Sequence, residues 1–238
     1  VVDLVFDEWV MTEQWTQNFI VDLVHVPVPP SDRPGEGGGM TEFGSKTLLV
    51  THDGRLFSLS DDARLEALAI SPPENGFSAY QALAARPEHA GRDFAPQSFR
   101  FNDILHYRTR TERALILSYS EYHADGECFT NTLAKLPLRD DIETALDIRA
   151  DASDWQVLFR TDPCMVMVDP PFDPWGFVQA VCRIDFIAPN SIILTSGDHL
   201  RDGIYAEESV SQDPAQDYGK VIEIDLTPGA GEILSVGH

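Results

Sequence analysis

The sequence predicts an all-β fold of β-propeller type, and three observations predict it. Short alternating or apolar runs recur between turn signals along most of the chain, the pattern of strands joined by hairpins. Towards the carboxy terminus the order is strand, short turn, strand, long polar loop, strand, which is the connectivity of a propeller blade. One short helix is expected, over residues 78–86, where an Ala-containing stretch runs up to Pro87.

In chain order, residues 1–30 alternate in patches, Val1-Val2-Asp3-Leu4-Val5-Phe6 and Phe19-Ile20-Val21-Asp22-Leu23-Val24, and stop at Pro27 and Pro29-Pro30; two strands are expected. Residues 31–39 read as a flexible loop whose glycines permit positive φ or close approach of another group to the backbone. Residues 39–47 nearly match a phosphate-binding P-loop, but Ser45 puts Lys46 one place late and a strand follows, which excludes it. Residues 46–51 and 55–60 flank His52-Asp53-Gly54, and Asp-Gly supplies the positive φ of a tight hairpin.

Residues 61–97 are richer in Ala, Glu and Pro and read as an insertion that holds the helix. Strands are expected over 99–106, 113–122 and 128–136, the last two joined through Ala124-Asp125-Gly126. The acidic stretch 140–154 has weak helical character, 155–160 reads as a strand, and 163–174 as a Pro-rich loop. Two apolar runs then flank Pro189-Asn190, the second ending at Gly197-Asp198, and in 220–226 Ile222, Ile224 and Leu226 alternate with Val221, Glu223 and Asp225. The turns at Gly54, Gly126 and Asn190 are irregularly spaced, so there is no strict repeat. At about 40 to 45 residues per blade, the chain is expected to form a single domain, residues 1–238, covering part of a ring.

Composition narrows the function. Seventeen Lys and Arg against 39 Asp and Glu give a net charge of −22, which repels phosphate backbones and anionic lipid surfaces. Nucleic acid and membrane are poor partners, and solubility is the plain reading of the charge. No apolar run is long enough to span a bilayer, and the first residues lack the basic and apolar regions of a leader; removal of a signal peptide is expected. The three cysteines lie outside zinc-ligand spacing. If a disulfide forms, Cys128 with Cys164 is the expected pair, because both sit at the edges of extended segments outside the apolar strand that carries Cys182.

One order of residues carries a family resemblance. Arg183-Ile184 opens a hairpin that ends at Gly197-Asp198; Ala215-Gln216 follows, then Gly219-Lys220-Val221-Ile222-Glu223-Ile224-Asp225, then Gly237-His238. This resembles the soluble pyrroloquinoline-quinone (PQQ) dependent glucose and sorbosone dehydrogenases, in which Gly-His continues into Arg-Asn-Pro-Gln-Gly. Fainter likeness upstream lies at Gly37-Gly38-Gly39-Met40, Asp53-Gly54, residues 99–104, Cys128-Phe129 and Asp162-Pro163-Cys164. The resemblance implies the amino-terminal portion of a six-bladed propeller, a periplasmic or secreted location, PQQ and calcium in the intact protein, and a sugar or small alcohol as substrate.

It also implies site residues. In the family a His four residues before the strand Arg takes the proton of the sugar hydroxyl, and an Asp closing the next strand orients it. Counting from Arg183 places Gln179 at the His position and Asp198 at the Asp position. Glutamine cannot take up that proton. His199, next to Asp198, is the candidate replacement base. Glu36 falls nearest the family's quinone-contacting glutamine, where a carboxylate would repel the tricarboxylate cofactor, and His238 reaches the segment after which most quinone and calcium contacts lie.

Other motifs are thin. The seven His residues show no His-Glu-x-x-His, no calcium loop is present, and the pairs Asp61-Asp62 and Asp140-Asp141 read as solvated charge. Two expectations stand: a PQQ sugar dehydrogenase-like enzyme once completed by the remainder of the propeller, or a catalytically silent propeller that binds a carbohydrate or a protein partner.

Overall fold

The computed structural model describes residues 26, 28–33, 35, 37–90, 99–110, 112–166, 182–188, 190–204, 209–227 and 233–237. They are mostly β, with one α-helix among them. The first sheet is an antiparallel meander of β1 (Gly38–Phe43), β2 (Lys46–Thr51), β3 (Leu56–Leu59) and β4 (Leu65–Ala67). Its central hairpin is the one that Asp53-Gly54 predicts: Gly54 has φ 88°, and its N–H donates to the Thr51 carbonyl across 2.9 Å. β4 lies inside the stretch read as an insertion, yet its Leu65 pairs with Leu59 and completes the sheet.

β5 (Ala69–Ile70) and α1 (Phe77–Ala84) follow. The helix starts at Gly76 in the left-handed conformation, with Asn75 Oδ1 accepting from the Phe77 N–H. It stops before Pro87, which opens a single 3-10 turn. The second sheet orders β6 (Phe101–Arg108), β7 (Arg113–His123), β8 (Cys128–Pro137) and β10 (Gln156–Arg160), with β11 (Met165–Val166) also on β8. Between β8 and β10 the weak helix expected over 140–154 resolves into two 3-10 turns around β9 (Arg149–Ala150), which pairs in parallel with β5. The acidic side chains are used as caps there: Asp151 and Asp154 form a reciprocal capping box, which competes with a continuous helix.

The third sheet is again a meander, β12 (Cys182–Ala188), β13 (Ser191–Ser196), β14 (Lys220–Asp225) and β15 (Ile233–Gly237). The alternation read in 220–226 is observed: Ile222, Ile224 and Leu226 are buried and Val221 is exposed. The two strands expected within residues 1–30 and most of the 163–174 loop lie outside the described residues.

β7 explains how the sheets stack. Leu115, Leu117 and Tyr119 enter one apolar cluster with Phe43, Leu48, Val50 and Leu56 of the first sheet. The intervening Ala114 and Ile116 enter another with Cys182, Ile184, Ile192, Leu194, Ile222 and Ile224 of the third. The second sheet is therefore covered on both faces, which is why β7 reads as a nearly unbroken apolar run. The starting strands β1, β6 and β12 lie side by side. A third cluster, of Phe77, Tyr80 and Leu83 from α1 with Phe99, Tyr122, Phe129, Met165, Val210 and Tyr218, packs the connecting segments over one end of the sheets. No described sheet closes on itself.

The expected disulfide is present: Cys128, at the start of β8, is bonded to Cys164, just before β11, and Cys182 is a buried free thiol.

Candidate functional site

The three starting strands meet at their amino-terminal ends, and the residues there form a polar hub. β1 enters through Gly38 at φ 132°, with Gly39 against β6 so closely that an added Cβ would stand 2.1 Å from Asp103 Oδ1 and 2.5 Å from Asp103 Cα. Asp103 is a buried carboxylate inside the apolar strand β6. Its Oδ1 accepts the Ile104 N–H at 3.0 Å and its Oδ2 the Ile184 N–H at 3.2 Å, so one side chain ties β6 to β12. Burial raises its pKa above the usual carboxylate range, opposed by those two backbone N–H groups and by Arg183.

Arg183 reaches back the other way. Its Nη1 donates to the Gly38 carbonyl at 2.9 Å and to the Asn102 carbonyl at 3.0 Å, and lies 3.6 Å from Asp103 Oδ1. Arg100 stands beside Asn102, donating from Nε to Asn102 Oδ1 at 3.0 Å, and its Nη1 is 3.7 Å from where a Gly37 Cβ would be. Burial first, then the positive charge of Arg183, pushes Arg100 below its ordinary pKa.

Two polar networks flank the hub. At the hairpin turn Asp53 accepts from Ser31 at 2.6 Å, from Thr51 and from Arg55 Nε at 2.8 Å; these outweigh the upward push of burial and hold its pKa down. On the second sheet Glu121 accepts from Arg160 Nε and Nη2 at 2.8 and 3.0 Å and from Thr132 Oγ1 at 2.8 Å, while His123 Nε2 meets Thr130 Oγ1 at 2.9 Å. Both sets are internally satisfied. A groove of about 530 Å³ along the β5–β9 ladder has Arg149, Asp151 and Asp154 in its lining, and all three bond to local backbone.

Of the site residues implied by the resemblance, Gln179, Glu36 and His238 lie outside the described residues. Asp198 follows β13 in a tight turn: its Oδ1 accepts the Leu200 N–H at 3.1 Å and its carbonyl accepts the Arg201 N–H at 3.0 Å. That is the turn-capping use of an Asp after Gly. Replacing Asp198 with alanine is expected to lower stability by about 1 kcal/mol in urea denaturation, the cost of one such bond.

His199 is 6 % exposed, held between Phe129 and Tyr218 with ring centroids at 4.8 and 5.4 Å. Its Nε2 is 3.4 Å from Asn131 Nδ2, so the ring acts as acceptor there and is neutral. Burial first, then Arg201, pushes its pKa from 6.5 down to about 3. A group so placed packs among aromatic rings in the core. The linkage has a definite sign. The unfolded chain takes up the proton below pH 6.5 and the folded one only near pH 3, so this contribution is intact above pH 6.5 and is lost as pH falls through that window. Stability is expected to drop by about 2 kcal/mol between pH 7 and pH 5 from this group. Urea titrations at both pH values check it, and His199→Asn, which tolerates the local φ of 55°, is expected to remove that part of the slope.

In the sequence Arg183 serves only to anchor the family alignment, and no motif there marks Arg100 or Asp103 as functional. The available signal was a polar and charged pair, Asn102-Asp103, within the otherwise apolar run of Phe101 to Tyr107. Among the described residues no group of three or more His, Cys, Asp or Glu is placed to hold a metal ion. The chain matches no protein-family model and no curated protein.

Proposed function

We propose that the three meanders are three consecutive blades of a β-propeller of the glucose/sorbosone dehydrogenase kind, and that the molecule is a ligand-binding propeller, not a dehydrogenase working through residues 179 and 198. The observation that carries this reading is the stacking. Three antiparallel meanders follow one another in sequence, the middle one is buried on both faces, and their starting strands β1, β6 and β12 lie together. In a propeller that is the relation of neighbouring blades about the axis. The remainder of the ring would cover the far face of the third sheet, where Val221 is exposed.

The binding reading follows from how the implied catalytic residues are used. The Asp198 carboxylate caps its own turn, His199 is sealed among aromatic rings, and position 179 offers no base. The described residues thus do not fit a PQQ–calcium site. The ligand is instead a carbohydrate or other small molecule, or a protein partner, received where the connecting segments gather. The Cys128–Cys164 bond supports a periplasmic or secreted location, since such bonds persist in oxidising compartments.

Electron microscopy of the full-length protein tests the architecture, with a closed ring of blades as the expected result and a two-layer sandwich as the result that overturns it. Calorimetric titration with PQQ and calcium, with a dye-coupled aldose oxidation assay on the same sample, tests the chemistry. No turnover is expected; turnover that disappears in Asp198→Asn would restore the dehydrogenase.

A further inference from the structure

We infer that His123 is a proton acceptor working through Nδ1, and that Thr130 and Thr132 connect it to the Glu121 carboxylate and so fix which of its nitrogens is basic. This goes beyond the binding reading, because it names a group able to take a proton from a ligand, and it does not depend on a closed ring.

Strand alternation brings the residues together. Glu121 and His123 are two apart on β7, and Thr130 and Thr132 two apart on β8; in the register Glu121 stands opposite Thr130, and Thr132 opposite Arg160 of β10. Residues two apart share a face, so all five lie on one side of the second sheet, at the end of β7.

The direction of their hydrogen bonds follows from counting hydrogens. Glu121 accepts Arg160 Nε at 2.8 Å and Nη2 at 3.0 Å, the two-pronged pairing of a guanidinium with a carboxylate, which has no hydrogen to give. Thr132 therefore donates its single hydroxyl hydrogen to Glu121 Oε2, at 2.8 Å. In its 2.9 Å contact with Thr130 it is left as the acceptor, and this uses the Thr130 hydrogen. Thr130 in turn can only accept from His123, so Nε2, 2.9 Å away, carries a hydrogen. Both threonines are buried, which keeps solvent from competing for their hydroxyls. The lone pair of the neutral ring is then at Nδ1.

Nδ1 has no partner among the described residues, and the His123 side chain is 29 % exposed, unlike the sealed His199. When a ligand O–H, N–H or S–H gives its proton to Nδ1, the electron pair stays on the ligand atom and the imidazolium formed lies 3.9 Å from Glu121 Oε2. Arg160 already offsets part of that carboxylate's charge, so Glu121 acts chiefly through the two hydroxyls: it sets the tautomer and the ring orientation before a ligand arrives.

Long-range proton–nitrogen correlation NMR of the full-length protein, with isotope-labelled histidine at roughly pH 8.5, above the ordinary histidine range, reads the tautomer directly. His123→Asn identifies the signals. The expected result is hydrogen on Nε2 alone. Glu121→Gln is expected to invert it: the amide oxygen stays with Arg160, the amide N–H donates to Thr132, each threonine then donates the other way, and the hydrogen moves to Nδ1. Thr130→Val is expected to leave a mixture of the two tautomers. Diethyl pyrocarbonate with peptide mass spectrometry reads access: His123 is expected to be modified in the native protein and His199 not, and Glu121→Gln to lose the modification. Circular dichroism and melting curves establish that the variants fold; if Glu121→Gln does not, Thr130→Val makes the comparison. A native tautomer with hydrogen on Nδ1, a tautomer unchanged in a folded variant, or an unreactive His123 each overturns the inference. A closed ring with any of these results sinks this inference alone, whereas the expected results in a molecule that is no ring sink only the propeller.

Discussion

Gly39→Val is expected to destabilise the protein by about 3 kcal/mol, near the upper end of what overpacking costs. The reason is where β1 runs. A Cβ on Gly39 would stand 2.5 Å from Asp103 Cα and 2.9 Å from the Ile104 nitrogen, which are backbone atoms of β6 and cannot rotate away. Relief requires β1 to move off β6. That motion lengthens the Arg183 bond to the Gly38 carbonyl and opens the apolar cluster in which Phe43, Val50 and Leu56 meet Leu115 and Leu117. Met40→Ala, one residue further along the same strand, is the control: that side chain is 67 % exposed and its loss is expected to change stability by less than about 0.5 kcal/mol. Urea denaturation reads both. Equal, small effects at the two positions would mean that β1 and β6 do not pack backbone to backbone, and the hub would lose its base.

The close approach at Gly39 was partly legible in the sequence, where the glycines of residues 31–39 signal positive φ or contact with backbone. The strand itself was not. Gly38-Gly39 has no side chains with which to show an alternation, so β1 is visible only once β2 and β6 lie beside it. The hairpin at Gly54, the strands β6, β7, β8 and β14, and α1 to within two residues at each end were legible, because β6, β7 and β8 are long, largely buried runs bounded by turn signals, β14 alternates in burial, and the turns need particular residues. β4, β5 and β9 have two or three residues each, too few to carry a period, and they exist through tertiary pairing. The hub was the least legible part. Arg183 meets residues 81 and 145 positions away in sequence, and nothing local in Arg183-Ile184 distinguishes an arginine that bridges three strands from one that faces solvent.

Removing the disulfide is expected to cost more than any other change considered, about 3 to 4 kcal/mol for Cys128→Ser with Cys164→Ser, from the restriction that a crosslink across this loop places on the unfolded chain. The two sulfurs close a separation of 36 residues. They also sit beside a strand pairing, Val166 with Cys128 and Met165 with Phe129, and the same segment is held by Tyr218 Oη donating to the carbonyls of Phe129 and Pro163. The folded chain therefore keeps those contacts without the bond, and the loss falls mainly on the unfolded side, as a shift of the urea midpoint. Thiol counting separates this from an alternative pairing through Cys182, which is completely buried and whose pKa burial raises. Native protein is expected to show no reactive thiol, denatured unreduced protein one, and denatured reduced protein three. Three thiols without reductant would remove the bond, and with it the argument for an oxidising compartment; one thiol with a small stability loss would mean that the unfolded chain is already restricted between β8 and β11.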